Sequence, residues 1–238
     1  GSNWKRLYKE GKASFTYDEE LARTGKSPYN RPYQKIMLSC TASRKISRVS
    51  RRAGKSEALC VDMLHYCMTK PHGLGRVLVV TPFKAQAEAL FRRLQQLVDQ
   101  SPEISNSITR IVKSPYPAME FGNGSMIIAF TASTSSAGGA NAVRGQGADR
   151  IYLDEMDYLA VEDLNSVMAI LSDNPDVKLW ASSTPTGRRE KFFELCKSPM
   201  FREFHFPCYV LPHWTPQAEV EAKMLAGTEL SFKHEYLA

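Results

Sequence analysis

An α/β domain with a mainly parallel sheet flanked by helices is the fold the sequence predicts, and three observations predict it. Apolar runs of buried-strand length recur along the chain, as in R-V-L-V-V-T at 76–81 and I-Y-L-D at 151–154. Segments with apolar residues at helical spacing separate most of them. A phosphate-loop tripeptide, Gly54-Lys55-Ser56, stands between one such strand and one such helix. Strands that alternate with helices imply parallel pairing, and a parallel sheet binds ligands at the carboxyl ends of its strands.

Taken in order, residues 1–35 are polar and aromatic and read as an N-terminal arm ending in N-R-P-Y-Q at 30–34, with the core running over 36–238. The alternating run at 45–50 suits a strand. Cys60, Met63, Leu64, Cys67 and Met68 then fall on one stripe of a helix. The continuous apolar run 76–81 is typical of a strand buried on both faces, and Pro82 ends it. Phe83, Ala87, Leu90, Leu94 and Leu97 define the next helix, whose polar side carries Arg92 and Arg93 as candidates for phosphate contacts. Gly122-Asn123-Gly124 is a turn signal that predicts a hairpin between 118–121 and the strand within 125–131. A Ser/Gly/Ala-rich loop follows at 132–148, with Arg144 its one charged residue. Further strands are predicted over 150–154, 177–182 and 201–206. Thr215-Pro216 begins a helix that Gly227 can stop, and 231–238 reads as a helix without a breaker.

Composition narrows the function classes. A chain of 238 residues with 43% hydrophobic and 24% charged residues accommodates one large globular domain. A net charge of +6 favours a polyanionic partner, although the excess is modest. Five cysteines (Cys40, Cys60, Cys67, Cys196, Cys208) form no C-x-x-C pair, which argues for a reducing compartment and against zinc or a disulfide framework. No apolar stretch has membrane length, no signal peptide is evident, and Gly1-Ser2 reads as an expression scar.

The chemistry rests on three motifs. A phosphate-binding loop needs a glycine where backbone approaches phosphate, a lysine for the β- and γ-phosphate charge and a hydroxyl for Mg²⁺. Gly54, Lys55 and Ser56 fill these places within S-R-R-A-G-K-S (Ser50, Arg51, Arg52, Ala53, Gly54, Lys55, Ser56), and Val49 stands where the full consensus has another glycine. Gly25-Lys26-Ser27 has the same letters but no preceding apolar run, and Pro28 follows at once, so it is a decoy. The second motif is Asp154-Glu155 at the end of an apolar strand, on the sheet edge expected for the phosphate loop. Asp154 suits a Mg²⁺ contact through water, and Glu155 suits a general base. Asp157 is a candidate third site acid but is better read as a local cap. The third is Ser182-Ser183-Thr184-Pro185, where a hydroxyl is placed to sense the γ-phosphate. Arg144 fits both a solvated side chain and an arginine finger, and Gln34 is a candidate adenine contact through its amide. The five histidines are scattered and support neither a metal site nor a triad.

In this order and spacing the motifs resemble the ATPase domain of phage terminase large subunits, the motors that package viral DNA. S-R-R-A-G-K-S at 50–56 matches the family's deviant Walker A, I-Y-L-D-E at 151–155 its Walker B and S-S-T-P-T-G at 182–187 its coupling motif. R-P-Y-Q (31–34), V-V-T-P-F-K-A-Q (79–86), V-R-G (143–145) and the terminal H-E-Y-L-A support the match. The resemblance implies a P-loop NTPase of the ASCE/RecA-like type that binds ATP and Mg²⁺. It assigns adenine to Gln34, triphosphate and metal to Lys55 and Ser56, metal ordering to Asp154 and water activation to Glu155. It makes Arg51 the P-loop arginine, Arg144 a finger acting across a ring interface, and Ser182, Ser183 and Thr184 the coupling element. It implies double-stranded DNA, a portal protein and a small terminase subunit as partners, a homo-oligomeric ring when assembled and a monomer in isolation. The setting implied is the host cytoplasm, at the procapsid portal. Members carry a nuclease domain after this region, so nuclease activity is expected to be absent from this chain. The competing readings are a helicase-like DNA translocase fragment, which needs a second RecA-like lobe, and a nucleotide-dependent assembly module, which has no need of Glu155.

Overall fold

A computed structural model describes residues 31–70, 75–132, 147–187, 190–211 and 214–238. The first described element is a helix, α1 (Pro32–Ser39), started by a proline in its first turn. Strand β1 (Arg44–Val49) runs into the phosphate loop, and helix α2 (Lys55–Thr69) leaves it. Then come β2 (Arg76–Thr81), α3 (Lys84–Asp99), the short α4 (Pro102–Ser105), β3 (Ile108–Val112), β4 (Ala118–Phe121) and β5 (Met126–Thr131). After them lie β6 (Arg150–Asp154), a 3₁₀ turn at Met156–Tyr158, α5 (Val161–Asp173), β7 (Lys178–Ser183), α6 (Lys191–Lys197) and β8 (Arg202–Phe206). The last elements are a 3₁₀ turn at Cys208–Val210, α7 (Pro216–Ala226), α8 (Glu229–Phe232) and a π turn at Lys233–Leu237.

The described strands form one eight-stranded sheet in the order β3-β4-β5-β2-β6-β7-β1-β8. Pairing is parallel from β5 to β8, and β4 is antiparallel to both β3 and β5. The mainly parallel sheet is therefore as predicted, and so is the hairpin, with Gly124 at φ +82° in its turn. β7 lies between β1 and β6. The strand ending in the third motif thus separates the strand that feeds the phosphate loop from the one that ends in Asp154.

Both faces of the sheet are covered, and β2 shows why a continuous apolar run was needed. Val77 and Val79 join the core under α1, α2 and α3, while Leu78 and Val80 join the core under α5 and α6. All four are buried. The alternation in β1 marks no solvent face, because Lys45 and Ser47 are buried at 7% and 0% exposure.

Three elements depart from the sequence pattern. Residues 102–112, for which no element is predicted, form α4 and β3. β3 is an outer strand with its middle residues exposed, so no apolar run announces it. Helix α1 spans the arm–core boundary placed at residue 35, and Tyr33, Gln34, Met37 and Leu38 are buried in it. The helix predicted over 231–238 is split into α8 and the π turn. By contrast, α7 begins and ends as read, with the Thr215 hydroxyl accepting from the Ala218 N–H at 3.1 Å and Gly227 at φ +71°.

Leu94 on α3 is fully buried, whereas Leu225 on α7 is 82% exposed. Leu94→Ala is expected to lower the unfolding free energy by about 2–5 kcal/mol and Leu225→Ala by less than about 0.5 kcal/mol, measured by urea denaturation.

Candidate active site

The phosphate loop is built from beneath. Gly54 adopts φ +79°, and a Cβ there would lie 2.6 Å from Gln34 Nε2, so only glycine fits. Gln34 Nε2 donates to the Gly54 carbonyl at 2.9 Å, and the Tyr33 hydroxyl donates to the Ala53 carbonyl at 2.7 Å. Arg31 donates to Tyr33 Oη at 2.9 Å and to the Arg52 carbonyl at 3.1 Å. The R-P-Y segment thus braces the loop from one side. On the other side the Arg51 N–H donates to the Glu235 carbonyl at 2.8 Å, and the Arg51 guanidinium pairs with the Glu235 carboxylate at the same distance.

The loop delivers Lys55 and Ser56 into the first turn of α2, where backbone N–H groups and the helix dipole favour an anion. The Lys55 ammonium lies 2.6 Å from Glu155 Oε1 and donates to Thr184 Oγ1 at 3.1 Å. The Ser56 hydroxyl donates to Asp154 Oδ2 at 2.8 Å. The Thr184 N–H donates to Glu155 Oε2 at 3.2 Å, and Ser183 Oγ lies 3.4 Å from the same oxygen. All three motifs therefore meet at the carboxyl ends of β1, β6 and β7. Glu155 reaches this position through a left-handed backbone at φ +56°, ψ +48°, which costs a non-glycine residue roughly 1–2 kcal/mol.

A cavity of about 740 Å³ opens over this cluster. Arg52, Gly54, Lys55, Ser56, Asp154 and Glu155 line it, with Arg31, Arg92 and Arg93 among its other walls. Arg93 is held there by Glu57, a buried carboxylate 2.6 Å from its Nε. Of the other predicted site residues, Ser50 and Ala53 are buried under the loop, Arg51 turns toward Glu235, and Gln34 lies beneath Gly54 with no donor to its Oε1 among the described residues. Ser182 is fully buried, and its hydroxyl has no partner among the described residues. Arg144 lies outside the described residues.

Sequence reading missed two connections. Asp157, read as a local cap, instead accepts from both the N–H and the hydroxyl of Thr186 at 2.6 Å, while its own N–H donates to Ser183 Oγ at 3.2 Å. It ties the turn after β6 to the loop after β7. The Glu57–Arg93 pair was equally hidden, because no local spacing links a P-loop helix to the polar side of another helix. Adjacency to Gln34 was the available signal for Arg31.

Asp154 is buried, and Oδ1 has no protein donor among the described residues. Burial pushes its carboxyl pKa up from 3.8 to about 6, against the nearby Lys55 ammonium. Carboxylate and hydroxyl oxygens with one lone-pair face free form a donor set that fits a hard cation such as Mg²⁺.

The buried carboxyl makes stability depend on pH. Between pH 3.8 and 6 the folded chain holds more protons at Asp154 than the unfolded chain, so this residue's contribution to stability falls as pH rises through that window. Asp154→Asn, which removes the buried charge, is therefore expected to be more stable than wild type at pH 8. The gain is at most about 3 kcal/mol and shrinks toward zero near pH 4, read from unfolding midpoints. Asp157→Ala, which removes the carboxylate that Thr186 donates to, is expected to lower kcat for nucleotide hydrolysis more than it raises KM. Asp157→Asn retains an acceptor and should recover most of the loss, whereas equal damage from both variants would rule out the positioning role.

A family model described as the ATPase domain of the phage terminase large subunit gpA matches residues 22–223. No curated protein sequence matches the chain. Among solved structures, the large terminase ATPase domain of Thermus phage P74-26 superposes with a TM-score of 0.71 at 20% identity, covering 92% of this chain and 96% of that one. The HK97 bacteriophage large terminase gives 0.68 at 12% identity, covering 87% of this chain and 49% of that one. A large terminase from a thermophilic bacteriophage gives 0.65 at 14% identity, covering 83% and 48%. The chain thus spans about half the length of the latter two large terminases, and at such identities the likeness shows the fold. With three nucleotide-site motifs joined at one sheet edge and a family match over most of its length, the chain belongs to the ATPase domains of phage terminase large subunits.

Proposed function

We propose that this domain hydrolyses ATP with Mg²⁺ and thereby drives double-stranded DNA into a procapsid. The observation that carries the reading is the Lys55 ammonium in contact with both Glu155 and Thr184, beside Ser56 on Asp154. The thermophilic bacteriophage's large terminase, solved with ADP and with ATP-gamma-S, supports a nucleotide in the corresponding fold.

Lys55 and the N–H groups at the start of α2 bind the β- and γ-phosphates. Ser56 and the buried Asp154 would hold Mg²⁺, which when bound would supply positive charge against the charge developing on the phosphates. Triphosphate competes with Glu155 for the Lys55 ammonium. Binding therefore releases a Glu155 oxygen to orient a water and take its proton as that water attacks the γ-phosphorus, while the bond from the γ-phosphorus to the β–γ bridging oxygen breaks and ADP leaves with that oxygen. The same exchange removes the donor from Thr184 Oγ1, so the loop after β7 responds to the phosphate. Ser182, Ser183 and Thr184 thereby couple hydrolysis to movement. Gln34, which braces the phosphate loop through Gly54, is proposed to contact adenine through its amide. Arg51 acts as the P-loop arginine once it leaves Glu235, and Arg144 supplies a finger from a neighbouring subunit. The partners proposed are DNA, a portal protein, a small terminase subunit and further copies in a ring, assembled at the portal in the host cytoplasm. The isolated domain is proposed to be monomeric.

Steady-state ATP hydrolysis against protein concentration tests this reading. The rate should rise faster than linearly and require Mg²⁺. It should drop at least about 100-fold in Glu155→Ala and lose its concentration dependence in Arg144→Ala. Normal turnover by Glu155→Ala would remove the base assignment, and an unchanged concentration dependence in Arg144→Ala would remove the finger.

A further inference from the structure

The opposite edge of the sheet, where β1, β6 and β7 begin, holds a second cluster of charge that the nucleotide site does not use. Asp62 of α2 is buried there. Two donors converge on its Oδ2, the Tyr152 hydroxyl at 2.6 Å and Arg150 Nη1 at 3.0 Å, while Lys45 Nζ forms an ion pair with the same oxygen at 3.9 Å and donates to the Met37 carbonyl at 3.3 Å. The side chains of Lys45 and Asp62 are 9% and 10% exposed and that of Arg150 is 20% exposed. Among the described residues, one carboxylate thus faces two recessed cations, which leaves one positive charge in excess. Lys45 lies 3.7 Å over the Trp180 ring and Arg150 lies 4.1 Å over Tyr66, which offsets part of the cost of burying them. Arg150 Nε is buried with no acceptor among the described residues.

These groups line a cavity of about 560 Å³ beneath α1 and α2, a size that suits a small ligand. Lys35 and Lys178 line it as well. Among the described residues, the cavity lining therefore gathers four cations around one carboxylate. A protein interior tolerates that excess best when an anion shares it.

We propose that this recess is a second anion site, which takes a phosphomonoester group on Arg150 and Lys45 with Lys35 and Lys178 at its mouth. A phosphomonoester carries close to two charges at neutral pH and presents three oxygens from one end. A phosphodiester carries one charge and is substituted on both sides, which bars it from a recess. Trp180 is only 2% exposed under the Lys45 ammonium, so no base stacks on it. Recognition rests on the phosphate, whether on a free small molecule or at the 5′ end of DNA.

The Trp180 indole reports on the site directly, since its N–H donates to Ser47 Oγ at 2.7 Å and the chain has only three tryptophans. The test is a titration followed by the indole resonances in ¹H–¹⁵N NMR, at ionic strength matched with chloride, in Lys55→Ala protein, where the lysine of the nucleotide site is absent. Inorganic phosphate is expected to shift the Trp180 signal saturably. The affinity should fall at least tenfold in the Lys35→Glu/Lys178→Glu double variant and also fall in Arg150→Lys, which keeps a cation for Asp62 but loses the planar guanidinium. A 5′-phosphorylated DNA hairpin that reproduces the shift where its unphosphorylated twin does not assigns the site to DNA ends, and glycerol phosphate alone doing so assigns it to a free phosphorylated molecule. No saturable shift with phosphate, or equal affinity in the double variant with an unchanged unfolding midpoint, overturns the site. Because Lys55 is absent throughout, that failure leaves the ATPase reading untouched.

Discussion

The Lys55–Glu155 contact joins the end of one parallel strand to the start of a helix that follows another, far off in sequence, and the site depends on it. It forms because β7 lies between β1 and β6, so the loop after β7 fills the gap between the phosphate loop and the Asp154-Glu155 turn. Thr184 and Ser183 occupy that gap and contact Lys55 and Glu155. A displacement of any one of the three loops changes the partners of the other two. This is the physical basis for treating the third motif as a coupling element.

The same constraint accounts for the strain at the site. Asp154 is buried with one oxygen that has no donor among the described residues, and Glu155 is held in a left-handed conformation. Neither arrangement favours folding, since an ionised buried carboxylate and a positive φ both raise the energy of the folded chain. The covered sheet sustains them. Val77, Leu78, Val79 and Val80 are buried against helices on both faces, which fixes the strand ends firmly enough to hold costly residues there. Asp157 and Glu57 extend this support, one by binding Thr186 and the other by fixing Arg93 at the cavity wall.

The C-terminal turn bears on the site as well. Glu235 bonds both the backbone and the side chain of Arg51, Arg48 donates to the Ala238 carbonyl at 2.6 Å, and the His234 ring packs against Gly187, where a side chain would collide with it. The segment read as the family's terminal H-E-Y-L-A thus touches both the phosphate loop and the loop carrying the coupling motif.

Sequence alone determined the elements whose cause is local. The apolar run 76–81, the Gly122-Asn123-Gly124 turn and the Thr215 and Gly227 caps are legible because strand burial, turn geometry and helix ends act on neighbouring residues. The three motifs were legible for a similar reason: phosphate, metal and water chemistry each demand particular groups at fixed spacing. Tertiary structure decided the rest. The burial of Lys45 and Ser47, the helix at Pro32–Ser39 under the phosphate loop, the outer strand Ile108–Val112 and the partners of Asp157, Glu57 and Arg51 depend on residues distant in the chain. Their hydrogen bonds and ion pairs are set by which strands lie side by side, and no short window of sequence encodes that order.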